Sequence, residues 1–259
     1  MSAHRLQRLV VSPEQLVDRQ LFLNPQQHHY LSRVLRLQAG DRLIAMTGQG
    51  QTWLVEFGQP THLVEAMPTW NELAVVVILL AALPKGSGFD DVVRQCTELG
   101  VAQIVPVISD RTVLHPSLAK LERWRRIAQE AAEQSERQQV PEILAPQPFT
   151  QALSTIPGTQ RYICAERGDS RHLLDCLQTT PLADSLSVAI GPEGGWTPPE
   201  LAQAIAAGYQ PVSLGQRILR AVTAPVMALS LIASVCETTA RTNVPAADAA
   251  ANLDEFGQY

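Results

Sequence analysis

The chain has 259 residues, of which 46% are hydrophobic and 17% are charged. This composition supplies a folded core and argues against a chain that is disordered throughout. The net charge of −5 excludes a surface coated in positive charge but leaves room for a local basic patch. The first 42 residues hold six arginines and three acidic residues, so this segment would attract phosphate. An ordinary solvated surface with scattered charge explains the same count.

The cysteines and the chain start bear on the cellular setting. None of the four cysteines belongs to a C-x-x-C pair, so we expect buried thiols and no metal site. The first ten residues lack the apolar core of a signal peptide. The longest apolar run, residues 73–83, is too short to span a bilayer and is typical of a buried strand. These features predict a soluble, cytoplasmic protein.

Residues 1–70 are predicted to form a small β-barrel domain. The segment "PQQHHYLSRVLRL" has apolar residues at helical spacing with Arg33 and Arg36 between them, which indicates a short helix with arginines on its outer face. The strand-like runs "RLIAM" and "TWLVEF" follow, separated by glycine-containing turns.

Residues 71–240 alternate apolar strand candidates with helical segments, which is typical of a parallel sheet flanked by helices. The predicted strands cover residues 73–83, 102–109, 161–166, 185–190 and 210–215, and the predicted helices cover residues 89–99, 118–137, 171–177, 198–207 and 223–239. The acidic tail, residues 241–259, has little periodicity and is expected to be poorly ordered.

The glycine-rich stretch "IGPEGGWTPPEL" follows the strand candidate at residues 185–190. Ligands of open α/β sheets bind beyond the carboxyl ends of strands. The stretch lacks the lysine of a P-loop, and Pro192 and Glu193 break the spacing of a dinucleotide fingerprint. It therefore suits a ligand held mainly by backbone groups, although a tight structural turn has equal weight.

A second loop, "LGQRILRAVTAP", follows the strand candidate at residues 210–215. Gly215 again stands at a strand end, and the helix after the loop is almost entirely apolar, as expected for a helix buried in the fold or in a subunit interface. Two strand-end loops this close in sequence can face one pocket.

Together the two loops resemble the paired signature of the SPOUT-class methyltransferases, and within them the RsmE (ribosomal RNA small subunit methyltransferase E) family. Three other segments match in the same order: "HYLSRVLRLQAGDRL" resembles the family's PUA-like RNA-binding barrel, "ALPKGSGFDDVVRQCTELGVAQIVPVISDRTV" its first methyltransferase strands, and "AAEQSERQQVPEI" its E-Q-S-x-R segment. The matches extend over roughly residues 25–235.

The resemblance implies a fold, a cofactor and an activity. The fold is an α/β SPOUT domain with a trefoil knot, following a PUA-like barrel, and it forms a homodimer through the knot helices. The activity is methylation of a uridine of 16S ribosomal RNA on N3 with S-adenosylmethionine, with 16S RNA or the small ribosomal subunit as the partner. The resemblance assigns cofactor binding to Ala165, Glu166, Ile190, Gly191, Pro192, Gly194, Gly195, Leu214, Gly215, Ile218 and Leu219.

The polar site residues are assigned in the same way. Arg220 would stabilise the charge that develops on the base, and Glu193 would orient the cofactor or accept the proton. Arg33, Arg36 and Arg137 would contact phosphates. No metal is required.

The chain departs from the family pattern at two places. Val222 replaces the glutamate of R-T-E-T-A, and Gln95 replaces the lysine of K-A-T-E-L-G. A ribose 2′-O-methyltransferase of the same superfamily and a non-catalytic RNA-binding assembly factor are the alternatives. A nucleotide hydrolase is less compatible, because the loop has no lysine.

Overall fold

The computed structural model describes residues 6–68, 71–112, 116–158, 160–165 and 170–243. The described chain divides into two compact units. The first comprises the described residues up to Glu72 together with Gln129–Val140, and the second comprises those of Leu73–Ala128 and those from Pro141 onward. Each unit is described separately. The predicted disordered tail, residues 241–259, lies outside the described residues except for the end of the last helix.

The first unit contains one mixed sheet. Its strands are β1 (Arg8–Val10), β2 (Leu16–Val17), β3 (Gln20–Leu21), β4 (Arg42–Met46), β5 (Thr52–Glu56) and β6 (Thr61–Met67). They pair in the order β1-β4-β5-β6-β3-β2, and β1 with β4 is the parallel pair. The ladders of the described residues leave β1 and β2 at the two ends. Leu9, Leu31, Leu43 and Val55 belong to its core.

The helix predicted ahead of strand β4 is present in two parts. Helix α1 (Pro25–His29) is started by Asn24, whose side chain accepts a hydrogen bond from the backbone N–H of Gln27 at 2.8 Å in a capping box. A π-helical turn, Tyr30–Val34, continues it. Arg33 and Arg36 are both exposed, but Arg36 lies beyond the helical turn. Two of the apolar residues predicted for the inner face, Tyr30 and Val34, are exposed as well.

The second unit is a parallel sheet flanked by helices, as predicted. Its strands are β7 (Val76–Ala82), β8 (Gln103–Ile108), β9 (Glu142–Ile143), β10 (Gln147–Pro148), β11 (Gln160–Cys164), β12 (Ser185–Ile190) and β13 (Gln210–Val212). The order is β10-β8-β7-β12-β11-β13, with β9 also paired to β8, and every pair is parallel. Near-continuous apolar runs such as "VVILLAA" form these strands because both faces of the sheet are buried.

Six further helices follow the strands along the chain. They are α2 (Phe89–Glu98), α3 (Leu118–Gln134), α4 (Phe149–Thr155), α5 (Leu173–Thr179), α6 (Pro198–Ala206) and α7 (Thr223–Asn243). Strands β9 and β10 have no counterpart in the sequence prediction, because two-residue strands carry no periodicity. Helix α4 was also not predicted; it has only seven residues. None of the described helices has the length and apolar character needed to cross a membrane.

Candidate functional site

A cavity of about 420 Å³ lies at the carboxyl ends of β11, β12 and β13 in the second unit. Its volume falls in the range of about 300–1,000 Å³ that is typical of small-molecule sites. The carboxyl ends of parallel strands meet at one edge of a sheet, so three loops distant in sequence converge there. The lining residues are Arg111, Cys164, Ala165, Ile190, Gly191, Pro192, Gly194, Gly195, Trp196, Leu201, Leu214, Gly215, Arg217, Ile218, Leu219, Ala221 and Ala224.

The structure brings most of the expected cofactor-binding residues together around this cavity. Both glycine-containing loops contribute, and so does Ala165 after β11. Glu166 lies outside the described residues. The expected catalytic pair, Glu193 and Arg220, is exposed and is not part of the cavity lining.

The glycine loop between β12 and α6 has a well-defined end. Thr197 and Glu200 form a capping box, in which the Glu200 carboxylate accepts a hydrogen bond from the Thr197 backbone N–H at 2.8 Å. Pro198 occupies the first helical position, where a proline needs no hydrogen-bond partner. Gly195 adopts a φ of +70°, a conformation that strongly favours glycine.

Trp196 supports the first glycine of this loop. Its ring stacks on Phe149 with centroids 4.1 Å apart. A Cβ placed on Gly191 would lie 3.2 Å from Trp196 Nε1, so a larger residue would push against a ring already held on its other side. Among the described residues, Trp196 Nε1 is buried without a hydrogen-bond partner, and Gly191 packs against it.

The second loop presents an apolar side chain to the cavity. Ile218 is 67% exposed although it is large and apolar. Gly215 has a φ of +112°, and its backbone N–H donates a hydrogen bond to Ser213 Oγ at 3.0 Å. An exposed isoleucine over a cavity bordered by backbone groups suits a flat, partly apolar ligand such as a purine.

Glu193 makes a structural contact. Its carboxylate accepts a hydrogen bond from the backbone N–H of Lys85 at 2.9 Å, which joins the glycine loop to the segment after β7. Because the carboxylate is bonded to the Lys85 backbone, its position favours holding the loop over accepting a proton from a bound base.

Arg220 lies just before α7. Its backbone carbonyl accepts hydrogen bonds from the N–H groups of Thr223 and Ala224, both at 2.9 Å, and its side chain is exposed. Val222, the residue that departs from the family pattern, packs against Gly88: a Cβ on that glycine would lie 2.6 Å from Val222 Cγ1. Gln95, the other departure, is exposed on α2.

The Cys164 thiol also lines the cavity. Burial raises its pKa to about 12, because desolvation disfavours the thiolate. A raised pKa favours the neutral thiol at physiological pH. Within the described part of the chain, no three His, Cys, Asp or Glu side chains are grouped to hold a metal ion.

The structure does not place Arg137 where a phosphate contact requires it. The residue is 3% exposed, and its Nη2 donates a hydrogen bond to Glu72 Oε2 at 2.8 Å. The other carboxylate oxygen of Glu72 accepts N–H groups from Gln138 and Gln139. This buried ion pair stabilises the first unit, and its guanidinium is not accessible to a phosphate, contrary to the expected RNA contact at Arg137.

Sequence reasoning missed two arginines of the cavity, Arg111 and Arg217. Arg217 lies inside the second loop, so its place in the sequence was sufficient to predict that it lines the cavity. Arg111 follows β8, and its approach to the glycine loop depends on strand order, which no local pattern records.

Comparisons with known proteins agree with this geometry. A family model described as an RNA methyltransferase domain matches residues 71–233, and one described as an RNA methyltransferase PUA domain matches residues 23–61. The chain is 47% identical over 237 residues to the ribosomal RNA small subunit methyltransferase E of Synechocystis, covering 89% of this chain and 78% of that protein.

Two solved structures with bound cofactor are similar to most of this chain. One is a ribosomal RNA small subunit methyltransferase E of Neisseria gonorrhoeae bound to S-adenosylmethionine, with 27% identity and a TM-score of 0.77, covering 89% of this chain and 98% of that one. The other is a Legionella pneumophila methyltransferase in complex with the same cofactor, with 26% identity and a TM-score of 0.78, covering 89% and 98%.

Proposed function

Because the chain belongs to the ribosomal RNA small subunit methyltransferase E family, we propose that it transfers a methyl group from S-adenosylmethionine to N3 of a uridine in 16S ribosomal RNA. One observation carries this proposal: residues of both glycine-containing loops line the same cavity at the carboxyl edge of a parallel sheet. The loops extend over residues 190–196 and 214–219. The family relatives and the cofactor-bound structural neighbours support the same cofactor and reaction class.

The residues present fit this cofactor. Ile218 offers an exposed apolar surface for the adenine, while the backbone of Gly191, Leu214, Gly215 and Leu219 offers hydrogen-bonding groups for adenine and ribose. Glycine allows a ligand to approach the backbone closely. When bound, S-adenosylmethionine supplies a methyl group on a positively charged sulfur, and the protein's residues orient it toward the base.

The target nitrogen must lose its proton for the transfer to occur, because the lone pair of the protonated nitrogen is delocalised into the flanking carbonyl groups. Uridine N3–H is only weakly acidic, so the site must stabilise the anion. The Arg220 guanidinium, exposed just before α7, would stabilise the negative charge on the base carbonyl oxygens. Glu193 would hold the loop, because its carboxylate is bonded to the Lys85 backbone. The N3 proton would pass to solvent water.

The first unit is proposed to bind RNA. Arg33 and Arg36 are exposed on the segment that follows α1, and guanidinium groups bind phosphate well. By function, we divide the chain into an RNA-binding part over residues 1–70, a methyltransferase part over residues 71–240 and an acidic tail over residues 241–259. A cytoplasmic location follows from a ribosomal RNA substrate.

We further propose a trefoil knot and a homodimer. In the second unit β12 is inserted between β7 and β11, and α7 packs against both α2 and α5, an arrangement compatible with threading. Helix α7 keeps Val226, Met227 and Leu231 partly exposed, and a second copy would cover them. Analytical ultracentrifugation tests the dimer: a monomer at micromolar concentration would contradict it.

Methyl transfer itself tests the function. Small subunits from a bacterial strain lacking the corresponding enzyme are incubated with the protein and S-adenosylmethionine labelled on its methyl group. We expect label in 16S RNA, and Arg220→Ala to slow its incorporation by at least tenfold at saturating cofactor. Incorporation by the variant at the wild-type rate would remove Arg220 from the mechanism, whereas no incorporation by the wild type would contradict the proposed function.

A further inference from the structure

Arg111 makes two contacts with the middle of the glycine loop. Its Nη1 donates a hydrogen bond to the backbone carbonyl of Gly194. Its aliphatic stem lies across the same residue, because a Cβ placed on Gly194 would be 3.0 Å from Arg111 Cδ and 3.7 Å from Arg111 Cβ. The three atoms nearest to that position all belong to Arg111. One side chain therefore fills the space beside Gly194 and binds its carbonyl.

Other groups hold the loop at Glu193, next to Gly194, and at the start of α6. On one side the Glu193 carboxylate accepts the Lys85 backbone N–H. On the other side, Glu200 Oε1 accepts the Asp110 backbone N–H at 2.9 Å, and the Thr197 hydroxyl donates to Asp110 Oδ2 at 3.0 Å. The segment after β8 thus contacts the loop twice, through Asp110 at its end and through Arg111 at its centre.

We propose that Arg111 is a positioning residue for cofactor binding and that it acts through Gly194. Glycine loses more conformational freedom on ordering than any other residue, so a loop with three glycines is costly to order at the moment a ligand binds. A group that fixes the loop beforehand lowers that cost and tightens binding. Because Arg111 is exposed, its removal is expected to change the order of the loop far more than the stability of the fold.

The proposal rests on the proposed function and is tested by a double-mutant cycle on the full chain. The measured quantity is the dissociation constant of S-adenosylmethionine, from calorimetry. Arg111→Ala is expected to raise it by about fivefold to tenfold, the effect of losing one hydrogen bond from a charged donor at an exposed site. Gly194→Ala is expected to do the same, because the new methyl group displaces the arginine stem and separates the guanidinium from the carbonyl.

The decisive result is the double variant. If both substitutions act through one contact, the double variant binds within about twofold of either single variant. Arg217→Ala is the matched control: Arg217 lines the same cavity from the second loop, and it supplies none of the atoms nearest to Gly194. Its effect should therefore multiply with that of Gly194→Ala.

Two further readouts separate positioning from a general structural role. Arg111→Lys keeps a cationic donor and should recover part of the lost affinity. For Arg111→Ala, the KM for the cofactor should rise while kcat at saturating cofactor stays within about twofold of wild type.

Wild-type affinity in Arg111→Ala would overturn the proposal. So would a full effect of Gly194→Ala in the Arg111→Ala background, because the new methyl group would then obstruct the ligand directly. A wild-type protein that fails to bind the cofactor would contradict the proposed function instead.

Discussion

Replacing Ile218 with alanine tests whether the second loop contacts the adenine. The isoleucine is 67% exposed in the ligand-free protein, and burying a whole side chain of this kind contributes about 1.5–3 kcal/mol. Two thirds of that range is about 1–2 kcal/mol, which corresponds to about a 5- to 30-fold increase in the cofactor dissociation constant. Because the side chain contributes little buried area to the fold, the free energy of unfolding should stay within about 0.5 kcal/mol of wild type.

The chain contains a matched control for this substitution. Ile205 is also exposed, at 50%, but it belongs to α6 and does not line the cavity. Calorimetric titration with S-adenosylmethionine should show wild-type affinity for Ile205→Ala and weakened affinity for Ile218→Ala. Equal affinities in the two variants would refute the adenine contact.

Three predictions concern stability and are measured by urea unfolding. Arg137→Ala leaves the Glu72 carboxylate without its buried partner and should lower the free energy of unfolding by about 3 kcal/mol; a loss below about 1 kcal/mol would show that the ion pair is not structural. Gly88→Ala places a methyl group 2.6 Å from Val222 Cγ1 and should cost about 1–3 kcal/mol, so an unchanged midpoint would contradict this packing. Burial raises the pKa of the Glu133 carboxyl above its ordinary value of 4.5, so the folded state binds the proton more tightly than the unfolded state does. The group's contribution to stability therefore falls as pH rises above 4.5. Glu133→Gln should therefore stabilise the protein near pH 7 and lose this advantage below pH 4.5, whereas a pH-independent effect would exclude titration of Glu133 as the cause.

The fold class could be read from the sequence because both units follow strong local rules. Near-continuous apolar runs alternating with helical segments predicted the parallel sheet, and strand β12 (Ser185–Ile190) has the predicted bounds. The Thr197 capping box placed the start of α6 correctly. Such signals lie within a few residues of one another, so no knowledge of distant contacts was needed.

Long-range contacts set the limit of that reasoning. Arg137 has the appearance of a surface cation in the sequence, but its partner Glu72 is 65 residues away and the pair is buried. Arg111 reaches Gly194 across 83 residues, and only the order of the strands brings them together. Glu193 was expected to have a catalytic role because it is the acidic residue of the loop. Its hydrogen bond with the Lys85 backbone joins residues 108 positions apart, so no local pattern could predict it.

The identity of the methylated nucleoside tests the central claim most directly. Small subunits from a strain lacking the enzyme are treated with the protein and S-adenosylmethionine, the 16S RNA is digested to nucleosides, and the products are separated by mass spectrometry. The account predicts one new product, 3-methyluridine, that depends on both protein and cofactor. A 2′-O-methylated nucleoside, or no new nucleoside from protein that binds the cofactor, would contradict it.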